Sequence, residues 1–247
     1  MVETEKLEKL MEIIKNSSST VFFGGAGVST ASNIPDFRSN KGLFKNNPEK
    51  ILSRSFYVKH PKEFYEFYFN NMIHKDALPN ECHKFLAKLE EDDKLNLVVT
   101  QNIDGLHQKA GSKKVIELHG SVYRNYCIKC RRFYELNDYI FDQFEKNIVP
   151  RCECGGVIKP DVVLYEELLN VNDLQKATNA IANCETLIVG GTSLVVTPAS
   201  NLIKYFRGKN LIVINKGPQS MFSGIDLYIN GKIEEYLNIE NYEKYLK

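Results

Sequence analysis

Four short apolar runs limit what this chain can fold into. Thr20-Val21-Phe22-Phe23, Leu97-Val98-Val99, Leu187-Ile188-Val189 and Leu211-Ile212-Val213-Ile214 are rich in β-branched and aromatic residues and show no polar alternation. A strand with one wet face would alternate, so these runs suit strands covered on both faces, as in a parallel sheet. Helices are expected between them, around 81–91, 172–183 and 198–206. Another is expected over 3–16, where Leu7, Leu10, Met11 and Ile14 form an i, i+3, i+4, i+7 stripe. Asp226-Leu227-Tyr228-Ile229 reads as a late edge strand, and Ile233 to Leu237 as the start of a closing helix. This alternation of strands and helices predicts an α/β fold built on a doubly wound parallel sheet.

Two stretches break that rhythm. Residues 37–79 are rich in Phe, Tyr, Asn and Lys and read as helical, with Phe64, Phe67 and Tyr68 on one face. Residues 121–159 carry four of the six cysteines. Both read as insertions that build a smaller module beside the sheet. The sheet domain would then comprise 1–36, 80–120 and 160–247, and the module 37–79 with 121–159.

Charge and hydropathy remove several classes of function. The 247 residues carry 32 Lys plus Arg against 31 Asp plus Glu, a net charge of +1. Such a balance provides no global field for nucleic acid or an anionic membrane. No apolar run approaches the roughly 18–20 residues of a membrane span. The opening MVETEKLEKL lacks the basic and apolar regions of a secretory signal. The expectation is a soluble, cytoplasmic protein that binds neither nucleic acid nor membrane, with a monomer as the default.

The chemistry concentrates at the ends of the apolar runs and in the cysteines. Cys127-x-x-Cys130 and Cys152-x-Cys154, the latter followed by Gly155-Gly156, supply four soft ligands on two sharp turns. That pattern suits a tetrahedral zinc with no open position, hence a structural one. Unligated thiols, or a redox pair of Cys127 with Cys130, are the other readings. Gly24-Gly25-Ala26-Gly27-Val28-Ser29 follows the first strand, with Ser29 and Thr30 as possible helix caps. Such a turn either lets backbone approach a pyrophosphate or simply packs. Thr30 occupies the third glycine position of G-x-G-x-x-G, and no acidic residue follows about twenty positions on as in a dehydrogenase. Thr100 through His107 is a polar run at a strand end, where open α/β sheets bind ligands. Asn102 and Asp104 there offer an amide and a carboxylate, or a capped turn, whereas His107 reads as packed or exposed rather than catalytic. His119-Gly120 ends the run Val115, Ile116, Leu118 at the seam between sheet and module. Its imidazole suits general-base work near neutral pH. Gly190-Gly191-Thr192-Ser193-Leu194 and Asn215 are further small or polar groups at strand ends.

In this order the motifs resemble the sirtuin family. The residues that carry the resemblance are Gly25-Ala26-Gly27-Val28-Ser29, Ile34-Pro35-Asp36-Phe37-Arg38, Thr100 through His107, His119-Gly120, the four cysteines, Pro160 through Val163, and Gly191-Thr192-Ser193. The match runs from about residue 20 to about 235. It implies a Rossmann-type NAD-binding domain with a smaller zinc-ribbon plus helical module. It also implies an NAD-dependent protein-lysine deacetylase, with NAD as co-substrate, one structural zinc and acetylated protein lysines as partners.

Residue roles follow from the resemblance. Ala26, Thr30, Phe37 and Arg38 would line the NAD site from the first loop, and Gln101, Asn102, Ile103 and Asp104 would surround the nicotinamide and its ribose. Thr192, Ser193 and Asn215 would meet the adenosine half, with Lys232 and Ile233 beside the adenine. Val163, Leu164 and Tyr165 would pair with the substrate or line its tunnel, opposite Val195 and Val196. Asn102 and Asp104 would hold the reacting groups while the acyl oxygen displaces nicotinamide. His119 would then act as general base through the ribose hydroxyls, leaving lysine and O-acetyl-ADP-ribose. Divergent members that transfer ADP-ribose to protein tend to lose the Asn or His kept here as Asn102 and His119. Members that prefer succinyl or malonyl groups carry Tyr-x-x-Arg, and Tyr68-Phe69-Asn70-Asn71 stands in that place, which favours acetyl. Tyr165-Glu166-Glu167 replaces the common Phe-Gly-Glu, restricting that loop. Asn33 replaces the commoner glycine before Ile34-Pro35, and Asn tolerates φ > 0.

Overall fold

The computed structural model describes residues 2–36, 48–146, 149–192, 197, 199–217 and 224–247. Its strands are β1 (Thr20–Gly24), β2 (Leu97–Thr100), β3 (Val115–Glu117), β4 (Gly120–Cys127), β5 (Phe133–Glu135), β6 (Ile158–Val162), β7 (Thr186–Gly190), β8 (Asn210–Ile214) and β9 (Leu227–Ile229). Six of them form one parallel sheet in the order β3-β2-β1-β7-β8-β9. The four unalternating runs are its four central strands. The shorter β3 and β9 occupy the edges, as expected for residues 226–229. Strand order reverses between β1 and β7, so the carboxyl ends of β1, β2 and β7 meet at the switch point. In register there, Gly24 lies opposite both Thr100 and Gly190.

Side chains along the central strands alternate between two cores, which is why the runs are apolar apart from Thr20, itself fully buried. Phe22, Val98, Ile188 and Ile212 face α1 (Thr4–Asn16), with its Leu7, Leu10, Met11 and Ile14 all buried. On the same side lie three more helices. Among them α5 (Glu81–Glu91) supplies Phe85, Leu86 and Leu89, and α9 (Ile233–Tyr236) and α10 (Ile239–Tyr245) supply Ile233, Tyr236 and Tyr242. Val21, Phe23, Val99, Val189 and Val213 face the other way, onto Ala177 and Ile181 of α8 (Val171–Asn183) and onto Leu202 and Ile203. The last two lie on a 3-10 helix, Ala199–Tyr205, where an α-helix over 198–206 was expected. The closing helix stops at Leu237 and restarts, because the Asn238 side chain caps α10 by accepting from the Asn241 N–H.

A third core belongs to the insertions. Here α2 (Pro48–Ile51), α3 (Arg54–Lys59) and α4 (Pro61–Met72) pack beside a three-stranded antiparallel sheet, β5-β4-β6, with α7 (Asp138–Glu145) alongside. Phe64 and Tyr68 point inward as expected, but their companions are Tyr65 and Phe69, and Phe67 is only partly buried. An i, i+1, i+4, i+5 stripe keeps one helix face together, and position 67 lies off it.

The first loop also differs from expectation. Among the described residues, no α-helix directly follows β1. Two 3-10 turns, Ala26–Val28 and Thr30–Ser32, carry the chain instead, and Ser29 caps neither by its side chain. Asn33 ends the second turn at φ 63°, the left-handed conformation its identity suggests.

Candidate active site

A cavity of about 840 Å³ opens at the carboxyl ends of the central strands, between the sheet and the inserted module. Its sheet-side floor exists because two loops approach without side chains between them. The Gly27 N–H donates to the Gly191 carbonyl at 2.7 Å, and a Cβ on Gly27 would meet the Gly191 Cα and O at 2.8 Å. Gly25 likewise packs on Thr192. The glycine run therefore serves loop packing, and that packing leaves Ala26 and Thr30 facing the cavity.

Across that floor runs one polar network. The Ser29 hydroxyl, buried, donates to Asp104 Oδ2 at 2.6 Å and accepts from Asn102 Nδ2 at 3.0 Å. The Leu106 N–H donates to Asp104 Oδ1 at 2.9 Å, and the Asn102 N–H donates to Thr100 Oγ1 at 3.0 Å. Burial raises the Asp104 carboxyl above its usual range, against the downward pull of Ser29, Leu106 and nearby His74. Gln101 ties the second loop to the fourth through Nε2 donating to Thr192 Oγ1 at 3.1 Å.

His119 lines the same cavity. Its Nδ1 lies 2.9 Å from the Gln101 carbonyl oxygen. A carbonyl only accepts, so Nδ1 carries the proton and Nε2 keeps its lone pair. Burial pulls the His119 pKa down, and the Gln101 carbonyl pulls it partly back up. The ring is thus a neutral base at neutral pH. Gly120 follows at φ 77°, where a Cβ would overlap the Asp161 carbonyl oxygen, so only glycine lets β4 start beside β6. Arg124 closes the seam behind His119, donating from its guanidinium to Glu117 at 2.6 Å and to Asp161 at 2.8 Å.

The four paired cysteines gather at one end of the small sheet. Their Sγ atoms all lie within 4.8 Å of one another, with Cys127–Cys154 and Cys130–Cys152 each at 3.5 Å. A tetrahedral zinc with bonds of about 2.3 Å needs sulfurs roughly 3.8 Å apart, so the set fits that ion. All six cysteines are free, and a Cys127–Cys130 disulfide is not formed. The N–H groups of Cys130 and Lys129 approach Cys127 Sγ and lower its thiol pKa, favouring the thiolate a metal needs.

Comparison with known proteins agrees with this architecture. The sequence model of the Sir2 family matches residues 25–198. The chain belongs to the Sir2 family. A protein of Clostridium perfringens named NAD-dependent protein deacetylase is 55% identical over 241 residues, 94% of this chain and 97% of its own. One of the same name from Clostridium tetani is 53% identical over 237 residues, 93% of this chain and 95% of its own. A solved Sir2 complex with deacetylated p53 peptide and 3′-O-acetyl ADP-ribose superposes with a TM-score of 0.87 at 36% identity, covering 96% of this chain and 97% of that one. A second, with p53 peptide and NAD+, gives 0.85 at 37%, covering 96% and 98%.

Within this Sir2 chain the cavity gathers most of the residues singled out in the sequence. Ala26, Thr30, Gln101, Asn102, Ile103, Asp104 and His119 line it, as do Thr192, Asn215, Lys232, Ile233, Val163, Leu164 and Tyr165. Phe37, Arg38, Ser193, Val195 and Val196 lie outside the described residues. His107, on the short helix α6 (Leu106–Ala110), is buried against Phe22 and His83, a packed residue as expected. Two lining residues beside Asp104 had no role assigned from the sequence. Ser29 belongs to the glycine-turn motif and was read as a cap, and a small polar residue directly after a glycine turn at a strand end was its signal. His74 carries no such signal, since only the packing of the insertion brings it near Asp104.

Proposed function

We propose that this chain is an NAD-dependent protein-lysine deacetylase in which His119 is the general base and Ser29, Asn102 and Asp104 orient the reacting groups. The observation that carries the reading is His119 held as its Nδ1–H tautomer, with a free Nε2, in one cavity with the Asn102–Ser29–Asp104 network. NAD, when bound, supplies an electrophilic ribose carbon with nicotinamide as its leaving group, and ADP-ribose as acyl acceptor. Ala26, Thr30, Thr192, Asn215, Lys232 and Ile233 offer the surface that would hold it, joined by Phe37, Arg38 and Ser193. Asn102 and Asp104 fix the nicotinamide end, because the Ser29 hydroxyl locks both side chains. His119 Nε2 accepts the proton that must leave a ribose hydroxyl before acyl transfer.

The peptide side is proposed to be Val163, Leu164 and Tyr165, with Val195 and Val196 assigned to it by the family resemblance alone. Acetylated protein lysines are the substrates, and the reaction is an acyl transfer to ADP-ribose that leaves free lysine, transferase chemistry with a hydrolytic outcome for the protein. The parts divide as an NAD-binding domain of 1–36, 80–120 and 160–247 and a helical, zinc-binding module of 37–79 and 121–159, with β6 crossing that boundary because Ile158–Val162 pairs in the module's sheet. Six free cysteines, four of them set for a metal, support a reducing, cytoplasmic setting. No helix among the described residues is long and apolar enough to cross a membrane.

The test is incubation with an acetyl-lysine peptide with and without NAD. Equal amounts of nicotinamide, deacetylated peptide and O-acetyl-ADP-ribose are expected. Nicotinamide release without deacetylated peptide would favour ADP-ribosyl transfer, and NAD binding without turnover would favour a sensor.

A further inference from the structure

The segment 163–167 runs along the cavity wall, fastened at both ends. The Val163 N–H donates to the His119 carbonyl at 2.9 Å, so the segment starts at the catalytic histidine. Two residues on it joins the inserted helices. The Tyr165 N–H donates to the Leu52 carbonyl at 3.0 Å, and the Arg54 N–H donates to the Tyr165 carbonyl at 3.0 Å. These bonds form a short parallel bridge between Ser53 and Tyr165, at the entry to α3.

Glu166, the next residue, adopts φ 75°. That left-handed conformation strains any residue with a Cβ, and glycine would meet it freely. The carboxylate shows what a glycine could not provide. Its Oε2 accepts the Ser55 N–H at 2.9 Å, and its Oε1 accepts the Ser55 hydroxyl at 2.9 Å. One side chain thus grips both polar groups of one residue on α3. Glu167 holds the segment from the other side, accepting the Leu164 N–H at 3.0 Å and Lys159 Nζ at 3.1 Å from β6. The adjacent glutamates pull in different directions and leave the turn little freedom.

We infer that Glu166 is a positioning residue for peptide binding: its clasp on Ser55 holds the 163–165 wall of the cavity in place against the substrate peptide. A preformed wall spares the ordering cost that a mobile loop would charge against peptide affinity. The clasp acts on the peptide and not on the chemistry, because no bond in it reaches Asn102, Asp104 or His119 Nε2. This inference rests on the deacetylase reading, which assigns 163–165 to the substrate.

The experiment compares Glu166→Gly, Glu166→Ala, Glu166→Gln and Ser55→Ala with the wild type. Glu166→Gly removes clasp and strain together, so thermal stability should hold or rise. Glu166→Ala keeps the strain and should be less stable than the Gly variant. Both should raise the peptide KM about tenfold, as expected for two lost hydrogen bonds to a carboxylate at the exposed Ser55, where water replaces part of them. Their kcat and NAD KM should stay within about threefold of wild type, and Ser55→Ala should follow them more weakly. Glu166→Gln, which still accepts the Ser55 N–H, should recover much of the affinity. Amide exchange at Tyr165 should accelerate in the Gly variant, whether or not a peptide is turned over. Unchanged exchange would overturn the clasp, and faster exchange with an unchanged peptide KM would overturn its role in peptide binding. A wild type inactive on every acyl-peptide would instead overturn the deacetylase reading, with the exchange result still deciding the clasp.

Discussion

A Ser29→Ala variant loses one buried oxygen and with it two hydrogen bonds, to Asp104 at 2.6 Å and from Asn102 at 3.0 Å. The first is charge-assisted and worth about 1.5–3 kcal/mol, and the second about 1 kcal/mol. Asp104 keeps the Leu106 N–H, and both side chains line a cavity that water can enter, so part of the loss is recovered. A net of about 2–3 kcal/mol against the oriented state predicts a fall in nicotinamide exchange of roughly 30–150-fold. Exchange is the right assay because it reports on nicotinamide cleavage, ahead of the proton transfer proposed for His119. The pH profile supplies a second signature. Burial already raises the Asp104 pKa and the Ser29 hydroxyl lowers it. Without the hydroxyl the folded pKa rises further, so the carboxylate protonates sooner as pH falls and the acid limb of exchange moves to higher pH. A variant with exchange within about threefold of wild type, and an unmoved acid limb, would refute the idea that Ser29 locks Asn102 and Asp104.

Further outcomes are open to direct measurement. His119→Ala should lower deacetylation by about 10²–10⁴-fold while NAD still binds in a calorimeter; wild-type turnover would remove His119 as the base. In the intact enzyme, the His119 pKa is depressed by burial. Steady-state rates governed by this base should therefore hold down to below the usual histidine value of about 6.5, falling only as pH drops through the lowered pKa. Elemental analysis should find one zinc per chain, and Cys152→Ala should lower metal content and melting temperature together; folded, zinc-free wild type would contradict the four-thiolate site. Acetyl-lysine should be preferred over succinyl-lysine. Tyr68 lines the cavity with a buried, unpartnered hydroxyl, while Asn71 spends its amide on the Phe67 carbonyl at 2.8 Å. A succinyl carboxylate there meets a desolvation cost of several kcal/mol. Asn71→Arg should raise the kcat/KM for desuccinylation, and a wild type equally fast on both acyl groups would refute the argument.

What was legible in the sequence was what local pattern and spacing encode. The four unalternating runs had to be doubly covered strands, and they form the centre of the sheet, because a strand covered on both faces shows apolar side chains in succession rather than in alternation. Two close cysteine pairs had to lie on tight turns, and their sulfurs converge. Polar residues at the ends of those runs marked the carboxyl edge, and Asn102, Asp104, His119 and Thr192 all meet there. Tertiary structure decided how these pieces touch. Ser29 and Asp104 are far apart in sequence, and nothing local distinguishes a capping serine from one that crosses between loops. Only the strand order β2-β1-β7 brings the first, second and fourth loops side by side, with Gly27 pressed on Gly191. That crowding turns the expected helix start into two 3-10 turns and points the Ser29 hydroxyl at Asp104. Glu166 follows the same rule: its left-handed backbone looks like a defect in sequence. Its partner Ser55 lies on a helix that only the packing of the insertion carries to it. Strand order and loop contact are properties of the whole chain's packing, and no short window of residues holds them.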